Sequence, residues 1–121
     1  MNMEINHKEL GRLGELKAAE ELKKRGLHII ETNYRFGRGE LDIIAKDGDT
    51  LVFVEVKSRL NLEMGDPVYG VTESKVRQIK KVAELYLFEK NIEDVECRFD
   101  VVTVLFENPE DPKIEHYPEA F

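Results

Sequence analysis

Residues 41–57 read LDIIAKDGDTLVFVEVK, and the order of the other elements follows from how this stretch folds. Two runs rich in aliphatic and β-branched residues, Leu41 to Lys46 and Leu51 to Lys57, flank Asp47-Gly48-Asp49-Thr50, whose composition marks a tight turn between antiparallel strands. Strand alternation puts Glu55 and Lys57 on one face, about 7 Å apart, and Val52, Val54 and Val56 on the other. The hairpin register decides whether Asp42 joins the two charged residues. A loop of Gly48-Asp49, or of all four residues 47–50, sets Asp42 opposite Glu55 with Cβ atoms about 5 Å apart. A loop of Asp47-Gly48 makes Asp42 a diagonal neighbour on the same face, whereas a three-residue loop turns Glu55 away.

Working outward, Leu10, Leu13, Leu16, Ala19 and Leu22 recur at helical spacing between His7 and Arg25, and Gly26 supplies a C-terminal stop. Leu27 to Tyr34 has the aliphatic content of a strand, followed by the basic segment RFGRG, which reads as a mobile loop. Leu60 to Gly70 forms the longest loop, and Thr72 then caps a second helix running to about Lys90, with Val76, Ile79, Ala83 and Tyr86 on its buried stripe. A last strand spans Arg98 to Phe106, and an acidic, proline-containing tail begins at about residue 107. The order is α-β-β-β-α-β: an α/β fold whose sheet has an antiparallel hairpin at its centre and helices to cover it.

The 121 residues suit one domain spanning the whole chain. The N-terminus lacks the apolar run of a signal peptide and no stretch is long enough to cross a bilayer, which points to a cytoplasmic protein without a membrane partner. Cys97 alone cannot form a disulfide framework or a cysteine zinc site, and its neighbours Val95 and Phe99 imply ordinary strand packing. The histidines at 7, 28 and 116 have no metal-ligand spacing. The net charge of −7 at first argues against a nucleic-acid partner. Its distribution reverses that argument, because residues 91–121 hold nine acids against Arg98 and Lys113 while residues 1–90 balance sixteen of each sign.

Two converging carboxylates with neither thiolate nor imidazole suit a hard, oxygen-seeking cation such as Mg²⁺ or Mn²⁺. Lys57 beside them offers the fixed positive charge that phosphoryl chemistry uses. Glu15 falls on a side of the first helix lined by Gly11, Ala18, Ala19 and Leu22, where small residues permit close approach to the sheet and an unpartnered acid is costly. Gly11 and Gly14, unfavourable in a helix interior, also imply that approach. Taken singly, each residue has an ordinary reading as a solvated strand pair, a hairpin surface acid or a boundary acid near Arg12. Their coincidence on one face favours the catalytic reading. Glu40 reads as a loop residue or an outer carboxylate, and Arg35, Arg38, Arg59 and Lys75 are candidate phosphate contacts.

The segments GELKAAEELKKRGLHIIETNYRFGRGELDIIAKDGDTLVFVEVKSR, VTESKVRQIKKVAELYL and RFDVV resemble the small bacterial YraN-type family, placed in the PD-(D/E)XK or restriction-endonuclease-like superfamily with the archaeal Holliday junction resolvases. The resemblance implies an αβββαβ core and metal-dependent hydrolysis of DNA phosphodiester bonds, of branched or structured DNA, in repair or recombination. It carries Glu15, Asp42, Glu55 and Lys57 over as the catalytic set and adds the Val56 carbonyl to the ligands of Mg²⁺ or Mn²⁺. It also places Lys75 and Gln78 on a helix that supplies a polar group near the site. Leu41 stands where many superfamily members have proline before the aspartate. A homodimer would suit cutting of both strands. The alternative from another class is a nucleic-acid-binding or partner-docking module that keeps the fold without turnover.

Overall fold

The computed structural model describes residues 6–63 and 71–121, so the loop expected from Leu60 to Gly70 lies outside the described residues from 64 onward. Helix α1 (His7–Lys24) starts where the Asn6 side chain accepts the Glu9 N–H at 2.8 Å. It ends on Gly26 at φ +94°, with Leu27 N–H donating to the Leu22 carbonyl, so orphan carbonyls of the last turn are satisfied. Strands β1 (His28–Phe36), β2 (Gly39–Asp47) and β3 (Thr50–Arg59) follow as an antiparallel meander. Helix α2 (Glu73–Glu89), capped by Thr72, carries the chain over to β4 (Cys97–Leu105), which pairs with β3 in parallel. Such a pairing needs a crossover of this kind.

The sheet order is β1-β2-β3-β4-β5, with α1 and α2 packed on opposite faces. Val52, Val54 and Val56 join Leu10, Ala18 and Leu22 of α1 in one core, and Leu51 and Phe53 join Ile79, Val82, Ala83 and Tyr86 of α2 in the other. Covered on both faces, β3 reads as a nearly continuous apolar run, as such strands do. Among the described residues no helix is long and apolar enough to cross a membrane.

Four expectations change. The RFGRG segment is not a loop: β1 extends to Phe36, β2 begins at Gly39, and only Gly37 and Arg38 turn between them, Gly37 at φ +60°. The tail contains a fifth strand, β5 (Lys113–Tyr117), antiparallel to β4. Its lack of apolar alternation hid it, and buried charge anchors it instead. Asp100, fully buried, is bracketed by Arg98 Nε and Nη2 at 2.8 and 2.9 Å, approached by His116 Nε2 at 2.7 Å, and accepts the Glu119 N–H at 3.1 Å. The buried stripe of α1 is Leu10, Gly14, Ala18 and Leu22, leaving Leu13 and Leu16 exposed, because the small residues rather than the leucines meet the sheet. Cys97 is exposed at the start of β4 rather than packed.

The two glycines of α1 separate cleanly. A Cβ on Gly14 would stand 1.7 Å from Ser58 Oγ and 3.0 Å from Ser58 Cβ, so contact between α1 and β3 depends on its absence. A Cβ on Gly11 meets nothing within 4 Å. Gly11→Ala should therefore raise stability by up to about 1 kcal/mol through helix propensity, while Gly14→Ala should lower it by roughly 1–3 kcal/mol through overpacking. Urea denaturation of both variants checks the pair, and equal shifts would contradict the close approach.

Candidate functional site

The β2–β3 hairpin pairs Asp47 with Thr50 and runs back to Ile43↔Val54, with Gly48 at φ +60° in the turn. This is the register in which Asp42 and Glu55 come next, and there the ladder stops. Beyond Ile43 the Asp42 side chain replaces the β2 backbone, its Oδ2 accepting the Val56 N–H at 2.8 Å. Asp42 thus fills the cleft where β2 leaves β3.

Three further carboxylates close on it. Glu15 from α1 and Glu40 from the start of β2 each place an oxygen so that, with one from Asp42, all lie within 4.8 Å of one another. Glu55, only 5% exposed, approaches from β3 closely enough for its carboxylate and that of Asp42 to repel. Oxygens around one octahedral Mg²⁺ stand roughly 3–4 Å apart, given metal–oxygen bonds near 2 Å. An all-oxygen set at the observed spacing therefore matches the chemistry of a hard divalent cation with little closure needed.

The crowding of the carboxylates shows in their electrostatics. Burial, and then the neighbouring Asp42, raise the Glu55 carboxyl to about 8, and the same two causes raise Glu15 to about 7. Asp42 is raised by burial too, against the Val56 N–H and Lys75, which draw it down. Lys75 Nζ lies 3.9 Å from Glu55 Oε1, and Lys57, on the same strand face, also favours the charged form of Glu55. Lys75, a candidate phosphate contact on a helix expected to supply a polar group near the site, is thus a partner of the carboxylates.

Arg35 pairs with Glu40 at 3.8 Å across the β1–β2 ladder, and Arg38 is exposed in the adjacent turn. Arg59 ends β3, its Nη1 donating to the Ser58 carbonyl while its Nε is buried without a partner among the described residues. Gln78 is exposed on α2, one turn beyond Lys75. Glu40 is the carboxylate that the sequence reading set aside: starting the strand at Leu41 excluded it, although Glu40 and Asp42 stand at the spacing that shares a strand face.

A family model described as uncharacterised protein family UPF0102 matches residues 14–104. A UPF0102 protein of Dictyoglomus turgidum is 44% identical over 119 residues, covering 97% of this chain and all of that protein. One of Chlorobium limicola is 47% identical over 117 residues, with 93% and 91% covered. Among solved structures, Archaeoglobus fulgidus Hjc, a Holliday junction resolvase from an archaeal hyperthermophile, superposes with a TM-score of 0.53 at 22% identity, covering 86% of this chain and 72% of that one. At that identity the likeness is one of fold.

A group whose pKa is raised on folding stabilises the native state below its unfolded value, and that contribution is lost as pH rises through the folded value. For Glu15 and Glu55 the window runs from about 4.5 to about 8. Metal-free protein should therefore lose melting temperature between pH 5 and 8.5. Glu55→Gln should flatten the fall, and millimolar Mg²⁺ or Mn²⁺ should raise the wild-type value at pH 8 by mass action. Differential scanning calorimetry checks this, and an identical slope in the variant would contradict the assignment.

Proposed function

We propose, on the premise that the chain belongs to the uncharacterised protein family UPF0102 and has a nuclease-like fold, that it is a Mg²⁺- or Mn²⁺-dependent endonuclease acting on branched or structured DNA. The observation that carries the reading is the meeting of Glu15, Glu40 and Asp42 at the point where β2 leaves β3, with Glu55 beside Asp42. Charges of this kind inside a sheet are costly unless they are neutralised, and a divalent cation does so.

In this reading Asp42, Glu55 and Glu15 hold the cation, with Glu40 beside them. A strand residue turns its N–H and carbonyl toward the same neighbour. The Val56 carbonyl therefore faces the gap that Asp42 occupies, which supports it as a further ligand. When bound, the cation supplies Lewis-acid stabilisation of charge on phosphate and a lowered pKa for the attacking water. The protein's own groups do the rest. Lys57, on the Glu55 face of β3, orients that water or stabilises the charge developing on the phosphate oxygens. Lys75 favours the charged, ligating form of Glu55. In this reading Arg35, Arg38 and Arg59, with Gln78 on α2, contact the backbone on either side of the scissile phosphate. The acidic C-terminal segment is held on β4, at the sheet edge opposite β1, and so leaves the basic β1–β2 turn clear for an anionic partner.

The test is a cleavage panel of duplex, single-stranded, flap and four-way-junction DNA with Mg²⁺ or Mn²⁺. At least one form should be cut, and Glu55→Gln and Lys57→Ala should each reduce cutting by at least about a hundred-fold. Undiminished activity in both variants would overturn the assignment. Salt-sensitive DNA binding without cleavage under either metal would favour a binding module on the same fold.

A further inference from the structure

The pairing of β1 with β2 is irregular at two steps: the register shifts between Ile29 and Glu31, and the rung between Asn33 and Asp42 is missing. Asn33 and Asp42 lie between the register pairs Thr32↔Ile43 and Tyr34↔Leu41. Asn33 adopts φ +54° in the middle of a strand, in the left-handed region that asparagine tolerates better than most side chains. Across from it the alternation of β2 is reset. Leu41 packs in the α2 core, Ile43 in the α1 core and Ile44 in the α2 core again, whereas strict alternation would put Leu41 and Ile43 on one face.

That reset has two consequences for the carboxylates. Asp42, at the crossing point, belongs to neither face and turns edgewise into the gap, where it reaches the Val56 N–H. With Leu41 on the α2 face, Glu40 falls on the opposite one, where α1 brings Glu15. The Asn33 side chain also lies close enough to the Glu15 carboxylate to favour its charged form. Asn33 is exposed, so its presence contributes little to either core.

We infer that Asn33 is a positioning residue for the cation site: its left-handed backbone turns Asp42 toward β3, and its amide fixes Glu15 in line with Asp42 and Glu40. The inference rests on the proposed metal-dependent function and adds a residue from β1, a strand that contributes no carboxylate to the cluster. A purely conformational role is the competing explanation, and glycine separates the two. Asn33→Gly keeps access to positive φ and removes the amide, while Asn33→Ala removes the amide and disfavours the backbone conformation.

The experiment measures the melting temperature of metal-free protein and the Mn²⁺ dissociation constant by calorimetric titration, for wild type and both variants. The glycine variant should melt like wild type yet bind Mn²⁺ about ten-fold more weakly, the scale on which outer-shell hydrogen bonds act on metal ligands. The alanine variant should lose both melting temperature and Mn²⁺ affinity. Wild-type Mn²⁺ affinity in Asn33→Gly would overturn the role of the amide. A wild-type alanine variant would overturn the role of the backbone. Failure of the wild-type protein itself to bind Mn²⁺ would overturn the metal-dependent reading, and this inference with it.

Discussion

The site depends on one hydrogen bond: the Asp42 carboxylate accepting the Val56 N–H at 2.8 Å where the β2–β3 ladder ends. An unpaired backbone donor on a strand buried on both faces would be costly, so some acceptor has to take it once β2 departs. A carboxylate satisfies the donor and places negative charge at the mouth of the sheet. Glu15, Glu40 and Glu55 then arrive from three separate segments, and the cluster is assembled around an atom already fixed by the backbone. The structural need of the sheet and the chemistry proposed for the site fall on the same side chain.

Two other features hold that arrangement in place. On the α1 side, the bare backbone at Gly14 lets the helix lie against Ser58 of β3, which brings Glu15, one residue on, into reach of Asp42. On the α2 side, Lys75 in the first turn of the helix meets Glu55 at 3.9 Å. Lys75 and Lys57 favour the charged form of Glu55, but burial and the Asp42 charge outweigh them and push that carboxyl up to about 8. Far from the cleft, Arg98 links Asp100 on β4 to Asp47 in the hairpin turn, and Asp100 holds His116 of β5. This network ties the hairpin and the C-terminal strand to β4, the strand that continues the sheet beyond β3.

Much of this was legible in the sequence because it is local. The turn chemistry of Asp47 to Thr50 limited the hairpin to a few registers, and period-two alternation set Glu55 and Lys57 apart from the valines of β3. The cap at Thr72 and the apolar spacing of α2 likewise needed only neighbours. What escaped detection depends on partners distant in sequence. The fifth strand, KIEHY, has no apolar alternation and is anchored by an aspartate sixteen residues before its histidine. The buried face of α1 was misassigned toward Leu13 and Leu16 because hydrophobicity outweighed the small residues that the sheet actually required.

Within the cleft the same division applies. Glu15, Asp42, Glu55 and Lys57 stood out as charged residues in segments otherwise suited to burial, which is a signal in the sequence itself. Glu40 did not, because the strand was read as starting at Leu41, one residue after it. A regular strand could present Glu40 and Asp42 on one face, but it could not also aim Asp42 edgewise at Val56. The irregular step is therefore part of the site's construction: it gives up one rung of backbone pairing between β2 and β3 and places a carboxylate in that gap. Because the step involves β1 as well, through Asn33, the outermost strand of the sheet takes part in the geometry of a cleft it does not line with acid.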